Sequence, residues 1–270
     1  TLERIKLAGK KGFYAGKTAD LIVAEMKNGG GIISHADLQD YESKWRKPIM
    51  GDYRGYKLVS MPPPSSGGVL LVQMLNMLEP YELGKLGVGS SEVIHLMIEA
   101  ERRAYADRAE HLGDSDFYNV PIETLTSKDY ARERFADFDP NKASVSADIF
   151  AGVAAKEGRE TTHASVIDAM GNAVAYTTTL NLSYGSKIVV SGAGFLLNNE
   201  MDDFSAKENS PNAFGLLGRE ANAIEAGKRM LSSMTPTIIL KNEKPLLVTG
   251  SPGGSTIITT VLQIVSNVID

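Results

Sequence analysis

An α+β fold is predicted, and three features of the 270 residues point to it. Helical periodicity dominates the first half, two strand–turn–strand signals fill the second, and a loose polar tract separates them. In chain order, residues 18–28 form an amphipathic pattern with Thr18 as its cap and Gly29, Gly30 and Gly31 as its stop. Ser34 caps a short helix running to Tyr41. Tyr56–Ser60 alternates like a strand and enters Pro62-Pro63-Pro64-Ser65-Ser66-Gly67-Gly68, a stretch that suits neither helix nor central strand and reads as structural. A helix follows from Val69 to Glu79. The longest helix spans 91–112, with Ile94, Met97, Ile98 and Tyr105 on its apolar side.

From Asp137 to Glu160 the pattern fades into Ala, Ser, Asp, Lys and Gly, the composition of an exposed linker where chain cleavage is tolerated. Thr162–Asp168 and Ala173–Thr179 then alternate as two strands joined by Ala169-Met170-Gly171-Asn172. A second hairpin pairs Pro236–Leu240 with Leu246–Gly250 across Lys241-Asn242-Glu243-Lys244, and Ser251-Pro252-Gly253-Gly254-Ser255 opens a final helix. Two regions result, 1–160 mostly helical and 161–270 strand-rich, expected to form one sandwich together.

Composition narrows the function. A net charge of −5 argues against a nucleic-acid groove, which needs a basic face. Without cysteine there is no disulfide framework, thiolate metal site or cysteine nucleophile. No apolar run reaches the ~18 residues of a membrane span, and no secretory signal opens the chain. Both ends read as truncated, because the chain starts in the approach to a helix and stops inside an apolar helical pattern.

The most informative stretch is Glu160-Thr161-Thr162-His163. If the chain is cut before Thr161, one residue carries both a hydroxyl nucleophile and a free α-amine. The amine's pKa of about 7.7–8 suits a base near neutral pH. The plainer reading is a pair of strand-favouring threonines, with His163 structural. Thr177 and Thr179 share a strand face and offer two hydroxyls, or simply a polar face. Asn198-Asn199-Glu200-Met201-Asp202-Asp203 follows an apolar run and offers carboxylates to a substrate ammonium group. A Ca²⁺ site is the rival, but the EF-hand spacing is absent, and a solvated acidic turn is the plain alternative. Ser232-Ser233 precedes a strand and suits a carboxylate. The glycine turn at Gly253-Gly254 leaves backbone N–H groups for an anion or oxyanion, and it lacks the phosphate-loop pattern.

In that order these motifs resemble the γ-glutamyltranspeptidase family: Glu160-Thr161-Thr162-His163, Thr179-Leu180-Asn181, Asn198 to Ser205, Leu231 to Thr237, and Gly250 to Ser255. In the first half Gly51 to Tyr56, Ser60 to Gly68 and Ala104-Tyr105-Ala106-Asp107-Arg108 agree too, so the likeness covers essentially the whole chain. The resemblance implies an N-terminal-nucleophile hydrolase, two antiparallel sheets between helical layers (αββα), and self-cleavage at Glu160–Thr161 into a large and a small subunit. It implies transfer of the γ-glutamyl group of glutathione and related compounds, through an ester on Thr161, to water, an amino acid or a peptide. Neither cofactor nor metal is expected, and the setting would be periplasmic or extracellular. By matching position, Thr161 would be the nucleophile, with Thr179 hydrogen-bonding it. Asn181, Glu200 and Asp203 would hold the α-amino group and Ser232 and Ser233 the α-carboxylate, while Gly253 and Gly254 would form the oxyanion hole. Residues 205–219 would match a lid, where Phe214 replaces a tyrosine and lacks its hydroxyl. Glu200 replaces the Gln of some bacterial members. The family's carboxylate-binding arginine lies before Thr1, and no arginine here matches its motif. A cephalosporin or glutaryl acylase of the same superfamily, or an inactive unprocessed fragment, are the alternatives.

Overall fold

The computed structural model describes residues 1–146, 148–149, 161–205 and 218–270. Glu160 with half of the expected linker, and Phe214 with most of the expected lid, lie outside the described residues. The chain forms two compact units that do not follow chain order. One comprises Thr1–Arg46 and Leu182–Asn199, the other Lys47–Asn181 and Glu200–Asp270.

The smaller unit contains α1 (Leu2–Ala8), α2 (Lys11–Tyr14), α3 (Gly16–Gly29) and α4 (His35–Asp40). Its core joins Ala19, Ile22 and Val23 of α3 to Leu38 of α4 and to Val190 and Ala193. Thr18 is not the cap of α3, which begins two residues earlier after Ala15. The Thr18 hydroxyl is instead buried, donating to the Gly12 carbonyl at 2.8 Å and accepting from Arg4 Nε at 2.8 Å. The stop is as expected, since Gly30 takes the left-handed conformation that ends a helix (φ 74°). Ser34 also caps α4 as expected, through a reciprocal capping box with Asp37.

The larger unit is built on a four-stranded antiparallel sheet. It contains β1 (Ile49–Tyr53), β2 (Tyr56–Ser60), β5 (Thr237–Lys241) and β6 (Lys244–Thr249), in the order β1-β2-β5-β6. Strand β1 was not expected. Its turn is Arg54-Gly55, both residues at positive φ (51° and 78°), the geometry usually signalled by Asn-Gly. On one face lie α5 (Gly67–Leu78), α6 (Leu83–Leu86), α7 (Ser91–His111), α8 (Ile122–Leu125), α9 (Lys128–Arg134) and α10 (Thr256–Ile269). Every residue of α5 is buried, because α7, α9, α10 and the sheet surround it. On the other face lies a second sheet, the hairpin β3 (Thr162–Ile167) and β4 (Ala173–Thr178), stacked on β5 and β6. Val166, Val174 and Tyr176 on its outer side are more than half exposed among the described residues.

The apolar side expected for α7 needs correction. Ile94 and Ile98 are exposed, and the buried stripe is Val93, Leu96, Ala100 and Ala104. Apolarity alone misleads here because charged side chains share the buried face. Arg103 is 1% exposed yet pairs with Glu99 and Asp137, each at 2.7 Å, and Asp107 pairs with Arg134 at 3.0 Å. Burial of charge is tolerable when each is paired. Among the described residues no helix is long and apolar enough to cross a membrane.

Candidate active site

The hairpin β3–β4 carries the first part of the site. Its register sets His163 opposite Thr177 and Thr162 opposite Thr178, so Thr161 and Thr179 flank its open end. His163 does not face the reaction as a free base. Its ring nitrogens engage Thr177 Oγ1 at 2.7 Å and Ser165 Oγ at 3.0 Å, and burial holds its pKa below the usual histidine value. The four-stranded sheet presses against that ring. A Cβ on Gly250, at the end of β6, would lie 2.2 Å from it, so only glycine lets the layers approach this closely. Beyond β4, Asn181 is 3% exposed and left-handed (φ 73°), and its N–H donates to Thr179 Oγ1 at 2.9 Å.

Thr161, Thr179, Asn181, Asp203, Ser232, Ser233, Gly254 and Ser255 line one pocket. Asp203 ends a 3₁₀ turn, Glu200–Asp203, whose last carbonyl accepts from Asn222 Nδ2 at 2.7 Å. Asn222 also takes the Leu231 N–H at 2.9 Å, tying the acidic turn to the segment leading into the serines. Glu200 is not among the lining residues. Burial first, and the Asp203 carboxylate second, push its pKa up to about 7.

Ser232 and Ser233 are fixed by the proline–serine–glycine stretch. Ser232 N–H donates to the Pro64 carbonyl and Ser66 N–H to the Ser232 carbonyl, both at 2.9 Å, while Ser65 Oγ donates to the Met234 carbonyl at 2.7 Å. That stretch is a cradle, as its structural reading anticipated. Arg108 of α7 is the residue that sequence reasoning missed. It lines the pocket while 4% exposed, and its guanidinium donates to Ser66 Oγ at 3.0 Å and Ser233 Oγ at 3.2 Å. Among the described residues no carboxylate lies within ion-pair distance of it. Burial pulls its pKa below the usual arginine value, against the opposing pull of Tyr105 and Asp203. The available signal was an arginine inside the matched Ala104–Arg108 motif, but nothing in the spacing said that it faced inward.

The last element is the glycine turn before α10. Gly253 (φ 135°) and Gly254 (φ 55°) adopt conformations that L side chains rarely reach. Among the described residues neither N–H has a hydrogen-bond acceptor. N–H groups left open at a helix start suit an incoming anion.

A hydroxyl, a carboxylate, a cation with two serines, and an anion-ready turn thus converge on one pocket. The sequence matches the family profile described as gamma-glutamyltranspeptidase over residues 1–270. The chain belongs to the gamma-glutamyltranspeptidase family. It is 54% identical over 271 residues to the glutathione hydrolase proenzyme of Escherichia coli (strain K12), covering all of this chain and 47% of that protein. It is 39% identical over 270 residues to the acylase ACY 1 proenzyme of Pseudomonas sp. (strain SE83), covering all of this chain and 46% of that protein. The chain therefore spans about half the length of these relatives. The solved cephalosporin acylase from Bacillus halodurans superposes over all of it, with TM-score 0.82, 26% identity and 46% of that structure covered. The gamma-glutamyltranspeptidase of Helicobacter pylori matches 54% of this chain and 42% of its own, with TM-score 0.53 and 50% identity. The fold is that of the N-terminal-nucleophile hydrolases. The described residues supply its two stacked sheets and one helical layer.

Proposed function

We propose that this chain carries the nucleophile and the donor site of a γ-glutamyl transferase and hydrolase. The observation that carries the reading is the single pocket shared by Thr161, Asp203, the Arg108–Ser233 pair and Gly254. A carboxylate on one part of the wall and a cation with serine hydroxyls on another complement the ammonium and carboxylate of an α-amino acid. A γ-glutamyl donor held there by its headgroup would extend its γ-carbonyl toward Thr161.

The chemistry follows from the atoms present. Cleavage of the Glu160–Thr161 bond frees the Thr161 amine and divides the chain into regions 1–160 and 161–270, which stay paired. The amine takes the hydroxyl proton as Thr161 Oγ attacks the γ-carbonyl carbon. Charge collects on the former carbonyl oxygen, opposite the Gly253 and Gly254 amides. The C–N bond breaks, the leaving amine takes the proton, and a γ-glutamyl ester remains on Thr161. Water or the amine of an amino acid or peptide then attacks the ester and returns the proton to Thr161 Oγ. Thr179, whose hydroxyl already accepts the Asn181 N–H, helps hold Thr161, and Asn181 and Glu200 complete the ammonium site with Asp203. Glutathione is the natural donor class for such a headgroup. The family resemblance supports a periplasmic or extracellular setting, which cell fractionation tests.

A second reading, an acylase acting on glutaryl or cephalosporin amides, draws on the acylase relative and the acylase structure. Glutaryl amides lack the α-ammonium group, and the Glu200–Asp203 carboxylates have no role for them. Comparing turnover of γ-glutamyl and glutaryl anilides decides between the two. Preference for the γ-glutamyl compound, lost in Thr161→Ala, supports the transferase reading. Equal release by wild type and Thr161→Ala contradicts both, and no release by wild type leaves an inactive fragment.

A further inference from the structure

Tyr105 lies one helical turn before Arg108 on α7, so both side chains leave the same face. Arg108 reaches the serine wall of the pocket. Tyr105 reaches Ser255, another lining residue, and its hydroxyl donates to the Ser255 carbonyl. That carbonyl sits in the peptide plane joining Ser255 to Thr256. The N–H of the same plane donates to the Gly253 carbonyl at 3.0 Å, and Thr256 Oγ1 donates to it at 2.7 Å. The Gly253 carbonyl shares a peptide plane with the Gly254 N–H, and in a trans peptide these two groups point in opposite directions. With the carbonyl held toward α10, the Gly254 N–H is turned away from the helix, and Gly254 lines the pocket. Two peptide planes are thus locked in series, and the far end of the series is the anion-ready amide. The lock is needed, because Gly253 and Gly254 have the freest backbones in the turn, and the Ser255 side chain makes no capping bond that would hold them.

We propose that Tyr105 is a positioning residue for the oxyanion turn, acting through the Ser255–Thr256 peptide to aim the Gly254 N–H at the developing charge. This rests on reading Gly253-Gly254 as the oxyanion site. A misaimed amide fails most when the oxygen is charged and tetrahedral, so the loss belongs to the transition state and not to headgroup binding.

The test is Tyr105→Phe in the processed enzyme. It keeps the ring that packs against the core and removes only the hydroxyl. Three quantities are measured: kcat and KM for a γ-glutamyl anilide, inhibition by a boronic acid bearing the glutamyl headgroup, and the Kd of free glutamate. Expected are a fall in kcat of about 5- to 10-fold, the net effect of one hydrogen bond, and a comparable loss of boronate affinity. KM and glutamate Kd should stay within about 2-fold. Thr256→Val removes the neighbouring hydroxyl from the Gly253 carbonyl and should shift the same two quantities the same way. If wild type and Tyr105→Phe share the same kcat and boronate affinity, the Tyr105 assignment is wrong while the catalytic reading stands. Parallel losses in glutamate binding and boronate affinity would also overturn it, marking Tyr105 as merely structural. A wild-type enzyme with no γ-glutamyl release fails one step earlier, at the proposed function itself.

Discussion

The guanidinium of Arg108 donates to the hydroxyl oxygen of Ser233 at 3.2 Å, from a position that is 4% exposed and without a carboxylate partner among the described residues. A serine hydroxyl has one proton to give. With Arg108 bonded to its oxygen, that proton is available to the pocket, so Ser233 becomes a donor to any carboxylate that enters. The incoming carboxylate also supplies the counter-charge that the buried guanidinium lacks.

Replacing Arg108 with Gln should therefore weaken donor binding more than the chemical step. KM for a γ-glutamyl anilide is expected to rise roughly 10- to 100-fold, the range for hydrogen bonds to a charged group, with kcat far less affected. Arg108→Lys keeps the charge but cannot serve Ser66 and Ser233 together, so it should fall between wild type and Gln. Steady-state kinetics on the three proteins checks the order.

Glu200 makes donor binding depend on pH. Its folded pKa is raised from 4.5 to about 7 by burial and the Asp203 carboxylate. Below that value it is neutral, and above it the charge attracts an ammonium group. Affinity for the γ-glutamyl headgroup should rise as pH climbs through about 7, and Glu200→Gln should flatten this rise. The stability of the empty protein runs the other way. The folded state holds the Glu200 proton more tightly than the unfolded state, so stability is lost as pH rises from 4.5 through about 7. Glu200→Gln should gain in Tm relative to wild type at pH 8 compared with pH 5. Titration calorimetry and thermal melts at both pH values read the two effects.

A separate titration belongs to Thr161. Its freed amine should give kcat a rise with pH whose midpoint falls within about a unit of 8. This rise persists in Glu200→Gln, which separates the base from the binding carboxylate. A flat kcat from about pH 6 to 9 points to another base.

Gly250→Ala probes the stacking of the two sheets. The new Cβ would meet the His163 ring at 2.2 Å, and two hydrogen bonds keep that ring from swinging aside. A destabilisation of about 1–3 kcal/mol is expected, the usual cost of overpacking. Adding His163→Ala should recover part of it, because the two changes share one contact. Denaturant melts of the single and double variants measure the coupling.

Hairpins, the helix cap at Ser34 and the glycine turn were legible because each depends on local chemistry within a few residues. Thr161, Thr179, Asn181, Asp203, Ser232, Ser233 and Gly254 were found as separate motifs, and the fold brings them to one pocket. Strand β1 escaped because Arg54 accepts a positive φ without the asparagine that normally announces it. The inner face of α7 escaped because its burial is decided by pairing. Arg103 with Glu99 and Arg108 with Ser233 look like solvated charges in a sequence. Tyr105 read as one more apolar position, and its hydroxyl acquires a role only when Ser255, 150 residues away, comes within reach.

The most direct measurement is the intact mass of the purified protein before and after brief exposure to a γ-glutamyl donor. Expected are two chains, the second beginning at Thr161, which gains one γ-glutamyl group mapped by fragmentation to Thr161. A single uncleaved chain that still releases the γ-glutamyl group, or an adduct on any other side chain, would contradict the assignment of Thr161 as nucleophile.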